Sequence, residues 1–176
     1  MQLSIVIPLF NESDSLNELV DWITDVMQRN AISYELLFID DGSTDDSWLT
    51  LTRLCASSPQ IRALRFTKNF GKSQALHAGF KLAQGKIVAT MDADLQDSPE
   101  ELPEMIQLLE SEQLDLISGW KRKRYDNLLT KNLPSRLFNW AARKSSNIQL
   151  HDFNCGLKVY RSEVIKAIDV KGEMHR

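Results

Sequence analysis

Apolar and polar positions along this chain follow two periods, and the two alternate. Leu3-Ser4-Ile5-Val6-Ile7 is an apolar run halted at Pro8, the pattern of a strand buried on both faces. Leu16, Leu19, Val20, Ile23 and Met27 then recur at helical spacing, with Ser13 or Asp14 as the expected cap. Tyr34 to Ile39 predicts a second strand, ending in Asp40-Asp41-Gly42-Ser43-Thr44-Asp45. Thr44 is the expected cap of a helix whose core stripe is Trp48, Leu51 and Leu54. Ile61 to Phe66 alternates as a third strand, and Asn69-Phe70-Gly71-Lys72 turns into a helix from about Ser73 to Ala83, closed by Gly85. The run from Ile87 predicts a fourth strand carrying Asp92-Ala93-Asp94-Leu95-Gln96 at its carboxyl end. Ser98-Pro99-Glu100-Glu101 has the form of a cap, a first-turn proline and a capping-box glutamate, ahead of Leu102, Met105, Ile106 and Leu109. Leu114 to Ser118 is a fifth strand, and a last strand is expected within 153–160.

Strand and helix alternate through residue 120, which predicts an α/β fold: a mostly parallel, Rossmann-like sheet with helices on both faces. At 176 residues the chain suits one domain. Its net charge of −3 hides a sign split. Residues 1–120 hold 8 Lys and Arg against 19 Asp and Glu, and residues 121–176 hold 13 against 5. An acidic half able to hold a metal is thus followed by a basic half able to hold phosphate. Cys55 and Cys155 stand in no metal-ligand spacing and are expected as reduced thiols. No basic leader precedes the first strand, and no run approaches the ~20 apolar residues of a membrane helix. The ending at Gly172-Glu173-Met174-His175-Arg176 reads as a truncation.

The chemistry is expected at the fourth strand. In extended chain Asp92, Asp94 and Gln96 share one face, because side chains repeat with period two. Two carboxylates aimed at one point call for a cation, and Mg²⁺ is commonly held by one or two carboxylates plus substrate phosphates. A lone D-x-D is equally an acidic turn. Its weight rises because Phe10-Asn11-Glu12, Asp40-Asp41 and Asp92-Ala93-Asp94 all follow strands of one parallel sheet, at the edge where ligands bind. Glu12 is also suited to the start of the first helix, Asp41-Gly42 to a plain turn, and Lys72 to a surface position.

The ordered set Val6-Ile7-Pro8-Leu9-Phe10-Asn11-Glu12, Asp40-Asp41-Gly42-Ser43-Thr44-Asp45, Asn69-Phe70-Gly71-Lys72 and Met91-Asp92-Ala93-Asp94-Leu95-Gln96-Asp97 resembles the family 2 glycosyltransferases of the GT-A fold. The likeness is to the branch that includes dolichol-phosphate mannosyltransferase and the bacterial polyprenyl-phosphate glycosyltransferases. It implies a nucleotide-sugar-binding half over 1–120 and an acceptor-side half over 121–176. It implies that Pro8, Phe10 and Glu12 cradle the base and that Asp40 and Asp41 read base and ribose. Lys72, Asp92, Ala93 and Asp94 complete the nucleotide-sugar site, and Asp92, Asp94 and Gln96 hold Mg²⁺ or Mn²⁺ on the donor's diphosphate. Arg122 joins Asp94 in the catalytic set; Ser135, Arg136 and Arg176 meet the acceptor phosphate. Lys158 stands where many members carry arginine.

The implied reaction is inverting transfer of a sugar from a UDP- or GDP-sugar to a polyprenyl phosphate, at the cytoplasmic face of a membrane. A phosphate monoester has a second pKa of ~6 and is already anionic at neutral pH, so no protein base is required. Asp94 would serve as base if the acceptor were instead a polysaccharide or glycolipid hydroxyl. A non-catalytic nucleotide-sugar-binding module is the alternative of another class. Partners are then the donor, the lipid acceptor and a membrane surface, with no nucleic acid and with self-association left open. A nicotinamide enzyme is disfavoured, because no G-x-G-x-x-G follows the first strand.

Overall fold

Strand β1, Leu3–Leu9, lies between two parallel neighbours, and all seven of its residues are buried. The computed structural model describes residues 1–119 and 155–167. One neighbour is β2, Tyr34–Asp40; the other is β4, Ile87–Thr90. β3, Ile61–Arg65, extends the β2 side. Beyond β4 the order continues with β6, Lys158–Arg161, and then β5, Leu116–Ser118, giving β3-β2-β1-β4-β6-β5. β6 runs antiparallel to both β4 and β5. The expected mostly parallel sheet is therefore present, with one strand from the second half inserted against the direction of the rest.

Alternation along the central strands divides the core into two layers. Leu3, Ile5, Ile7 and Leu9 join Leu36 and Phe38 on one face, under helices α1 (Leu16–Arg29), α2 (Ser47–Ser57) and α4 (Leu102–Ser111). Val6, Leu37, Ile39 and Val88 face the other way, packing with Ala75, Leu76 and Phe80 of α3 (Lys72–Leu82) and Ile165 of α5 (Ser162–Ala167). Helices thus cover both faces, which is why the strands read as continuous apolar runs. Two residues break that rule at the amino edge. Ser4 donates to Glu35 at 2.6 Å, and Glu35 takes Arg62 at 2.9 Å; Ser4 and Glu35 together receive the backbone N–H groups of Gln84 and Gly85. A buried carboxylate paired in this way closes the turn between α3 and β4.

Several local expectations shift. α1 takes Ser15, not Ser13 or Asp14, as its N-cap, and α2 takes Asp46, not Thr44. Ser98 supplies no side-chain cap; Pro99–Glu101 forms a 3₁₀ turn before α4, and Glu100 instead accepts from Trp22 and Arg29. The fourth strand ends at Thr90, and Leu95 adopts φ 60°, so Asp92 to Gln96 is not extended chain.

Candidate functional site

Because β2, β1 and β4 are adjacent and parallel, their carboxyl ends open on one crevice. The chain runs outward through β2 and β3 and returns on the other flank of β1 as β4, so this is a switch point of the sheet. A cleft of about 350 Å³ lies there. Its walls are Pro8, Leu9, Phe10 and Glu12 after β1, Asp41 after β2, Asn69, Gly71, Lys72 and Ala75 at the start of α3, and Asp92, Ala93 and Asp94 after β4. Of the expected nucleotide-sugar residues, all but Asp40 line it.

The first two loops are braced against each other. Asn11, in the left-handed region at φ 58°, accepts the N–H of Thr44 at 2.8 Å through its side chain. Its own N–H donates to the Ser43 hydroxyl, and that of Glu12 to the Ser47 hydroxyl, each at 2.9 Å. Asp40 belongs to this scaffold and not to the cleft. Its side chain is 0% exposed, with one oxygen taking the Ser43 N–H at 2.7 Å and the other facing Arg65 Nε at 3.3 Å. The expected acidic pair is thus split: Asp40 turns inward, and only Asp41 reaches the cleft. Asp41 in turn takes the N–H groups of Phe70 and Gly71 at 2.7 and 2.8 Å, which fixes the start of α3.

Asp92 and Asp94 both reach the cleft, though not by strand parity. Asp92 is half-buried and forms an ion pair with Lys72. The Asp97 carboxylate accepts the backbone N–H of Asp92 at 3.1 Å. Gly156 presses on Asp92 from the far side: a Cβ there would stand 2.5 Å from its carboxylate oxygen. The Gly156 carbonyl is held in place by the Thr90 hydroxyl at 2.7 Å. Asp94 is exposed and takes the N–H of Gln96 at 3.1 Å. Gln96 is absent from the cleft wall, because the left-handed turn at Leu95 ends the period on which its placement depended. Arg122, Ser135, Arg136 and Arg176 lie outside the described residues. Leu9, Asn69, Gly71 and Ala75 of the wall, and Asp97 and Gly156 behind it, have no role assigned from the sequence. Leu9, Asn69, Gly71 and Asp97 stand inside the motifs that carry the family resemblance; Ala75 and Gly156 do not.

The crowding of acids has an electrostatic signature. The Glu12 carboxyl is held above its ordinary value of 4.5, first by burial and then by the negative charges of Asp94, Asp45 and Asp92. A carboxyl whose folded pKa is raised favours folding below its unfolded value and loses that contribution as pH rises through the folded value. Without divalent ions, Glu12→Gln is therefore expected to melt above the parent at neutral pH. The gap should close as pH falls below 4.5. Calorimetric melts across pH 3–8 check this on the order of single degrees; a gap that widened toward acid would contradict the placement of Glu12.

The residues present fit a divalent ion held jointly by protein and ligand. Among the described residues, no three His, Cys, Asp or Glu side chains form a metal-binding group. Asp92 and Asp94 supply two hard oxygen donors at the cleft, and a cationic ammonium already sits against one of them. Two carboxylates leave most of an octahedral shell to phosphate oxygens and water, the usual arrangement for Mg²⁺. No helix among the described residues is long and apolar enough to cross a membrane.

Comparison with known proteins bears on this cleft. The pattern of Glycosyl transferase family 2 matches residues 4–169. The chain is 37% identical over 177 residues to a dodecaprenyl-phosphate galacturonate synthase of Rhizobium johnstonii, covering all of this chain and 52% of that protein. It is 35% identical over 169 residues to an undecaprenyl-phosphate 4-deoxy-4-formamido-L-arabinose transferase of Yersinia pestis, covering 95% and 51%. The chain spans about half the length of these relatives. Its fold superposes with TM-score 0.70 on glucosyl-3-phosphoglycerate synthase from Mycobacterium tuberculosis, solved with Mn²⁺, UDP-glucose and phosphoglyceric acid. That likeness covers 93% of this chain and 57% of the other at 22% identity.

Proposed function

Since the chain belongs to glycosyl transferase family 2 and has its GT-A fold, we propose that the cleft loads a nucleoside-diphosphate sugar with a divalent cation and that the whole protein transfers the sugar to a polyprenyl phosphate. The observation that carries this is the convergence of Glu12, Asp41, Lys72, Asp92 and Asp94 on one crevice at the switch point of the sheet. The names of the two curated relatives support the acceptor class, and the Mn²⁺ and UDP-glucose of the mycobacterial synthase support the donor and metal.

In this assignment Pro8, Leu9 and Phe10 form the apolar wall for the base, with Phe10 44% exposed. Asp41 keeps acceptor capacity beyond its two backbone donors and faces the base or ribose. Asp92 and Asp94 would hold Mg²⁺ or Mn²⁺, which supplies Lewis-acid stabilisation of the departing diphosphate. Lys72 adds positive charge at the same place. Arg122 is assigned to the leaving phosphates, and Ser135, Arg136 and Arg176 to the acceptor phosphate. An anionic acceptor oxygen needs no base, so Asp94 is left to hold the cation.

The test is transfer by the full-length protein to undecaprenyl phosphate in vesicles, with a panel of UDP- and GDP-sugars and Mn²⁺. A lipid-linked sugar that appears with one donor and disappears with chelator is expected. Sugar appearing only on a hydroxyl acceptor, or no turnover with bound donor, would overturn the acceptor assignment.

A further inference from the structure

The cleft wall is unbalanced in charge. Among its described residues four are carboxylates, Glu12, Asp41, Asp92 and Asp94, and Lys72 is the one with a cationic side chain. Asp41 accepts two backbone N–H groups, one on each oxygen, and is tied to the start of α3. Lys72 pairs with Asp92, one of the two carboxylates assigned to the divalent ion. Both partners are held in place. Asp41 fixes the two residues preceding Lys72, and Gly156 and Asp97 bracket Asp92.

We propose, on the premise of the donor site above, that Lys72 is a resident counter-ion: its ammonium takes the cation position at Asp92 in the protein without nucleotide and is exchanged for the divalent ion when the nucleotide sugar is loaded. An ammonium and a divalent ion cannot both sit on Asp92, because like charges at contact distance repel strongly. The lysine stem has four rotatable carbons, so its head can leave Asp92 without moving α3. The nearest new anion is the diphosphate that arrives with the metal. Two consequences follow from one residue. Metal without nucleotide binds weakly, because it must displace Lys72 with nowhere for that charge to go. Metal with nucleotide binds well, because the displaced ammonium gains a phosphate partner. Lys72 therefore couples the two ligands and is a positioning residue for the donor.

The experiment counts free Mn²⁺ by electron paramagnetic resonance, with and without UDP or GDP, for the parent, Lys72→Met and Lys72→Arg. Lys72→Met is expected to bind Mn²⁺ alone about tenfold more tightly than the parent, the scale on which a contacting like charge disfavours a cation. In saturating Mn²⁺ it is expected to bind the nucleotide about tenfold more weakly. Lys72→Arg keeps the charge and should resemble the parent with Mn²⁺ alone. The inference is overturned, with the donor site intact, if the parent binds Mn²⁺ and nucleotide together but Lys72→Met takes up Mn²⁺ alone no better. It is equally overturned if Lys72→Arg gains Mn²⁺ affinity as Lys72→Met does, since charge would not be the cause. A parent that binds neither nucleotide in the presence of Mn²⁺ overturns the donor site, and the exchange with it.

Discussion

Asp94→Ala is expected to lose Mn²⁺-dependent nucleotide binding by at least about 100-fold. Removing a group that merely orients a metal ligand costs 10–100-fold, so removing a ligand itself should cost no less. The fold should be untouched. Asp94 is exposed, and among the described residues its carboxylate accepts one hydrogen bond, from the N–H of Gln96, two residues along. Removing it also relieves Glu12, whose carboxyl is held up first by burial and then, among its neighbours, most by Asp94. Thermal melts and titration calorimetry with UDP and GDP, each with and without Mn²⁺, separate the two effects: melting temperature holds or rises while metal-dependent affinity disappears. Affinity within a few fold of the parent in the presence of Mn²⁺ would remove Asp94 from the metal set, and with it the donor assignment.

Gly42→Ala is expected to destabilise the protein by about 3 kcal/mol and to weaken nucleotide binding as well. Gly42 sits at φ +76°, where an L side chain is strained. Its added Cβ would also stand 2.5 Å from the carbonyl carbon of Lys68 and 2.8 Å from the Asn69 nitrogen. Those atoms are backbone and cannot rotate away. Separating the segment at 68–69 from Gly42 pulls Phe70 and Gly71 off Asp41, and so moves the residue from which Lys72 reaches the cleft. Urea denaturation followed by fluorescence measures the first effect, and calorimetry with UDP or GDP and Mn²⁺ the second. A midpoint equal to the parent's would show that the two loops do not pack as described.

Much of this was visible along the chain because it depends on local period and composition. The buried runs at Leu3 to Ile7, Tyr34 to Ile39 and Ile87 to Thr90 read as strands covered on both faces, short, apolar and alternating with helical periods, and their polar exits share an edge once the strands are parallel. Tight spots were less legible. The pair Asp40-Asp41 looks like one feature in sequence. Both are buried, but a single residue's step sends Asp40 inward against Arg65 and leaves Asp41 on the cleft wall. Asp92, Asp94 and Gln96 look like one strand face, but the strand stops at Thr90, and the loop that follows, with its left-handed turn at Leu95, brings the two acids and not Gln96 to the cleft. Caps moved by one or two residues, at Ser15 and Asp46, because the loops ahead of those helices bond to each other and to the first residue of α2: the Glu12 N–H donates to the Ser47 hydroxyl, and the Ser47 N–H to Asp45.

The sequence by itself determined the class of fold, the family and the edge of the sheet where the acids gather. Those follow from which residues are apolar, at what spacing, and in what order the polar exits come. Only the tertiary structure decided which acid faces a ligand, that Lys72 lies on Asp92, and that Gly156, 64 residues further along, is pressed against the same carboxylate. The physical reason is that these contacts join separate loops. Their geometry is set by how α3 and β6 pack on the sheet, and no short window of sequence contains both partners.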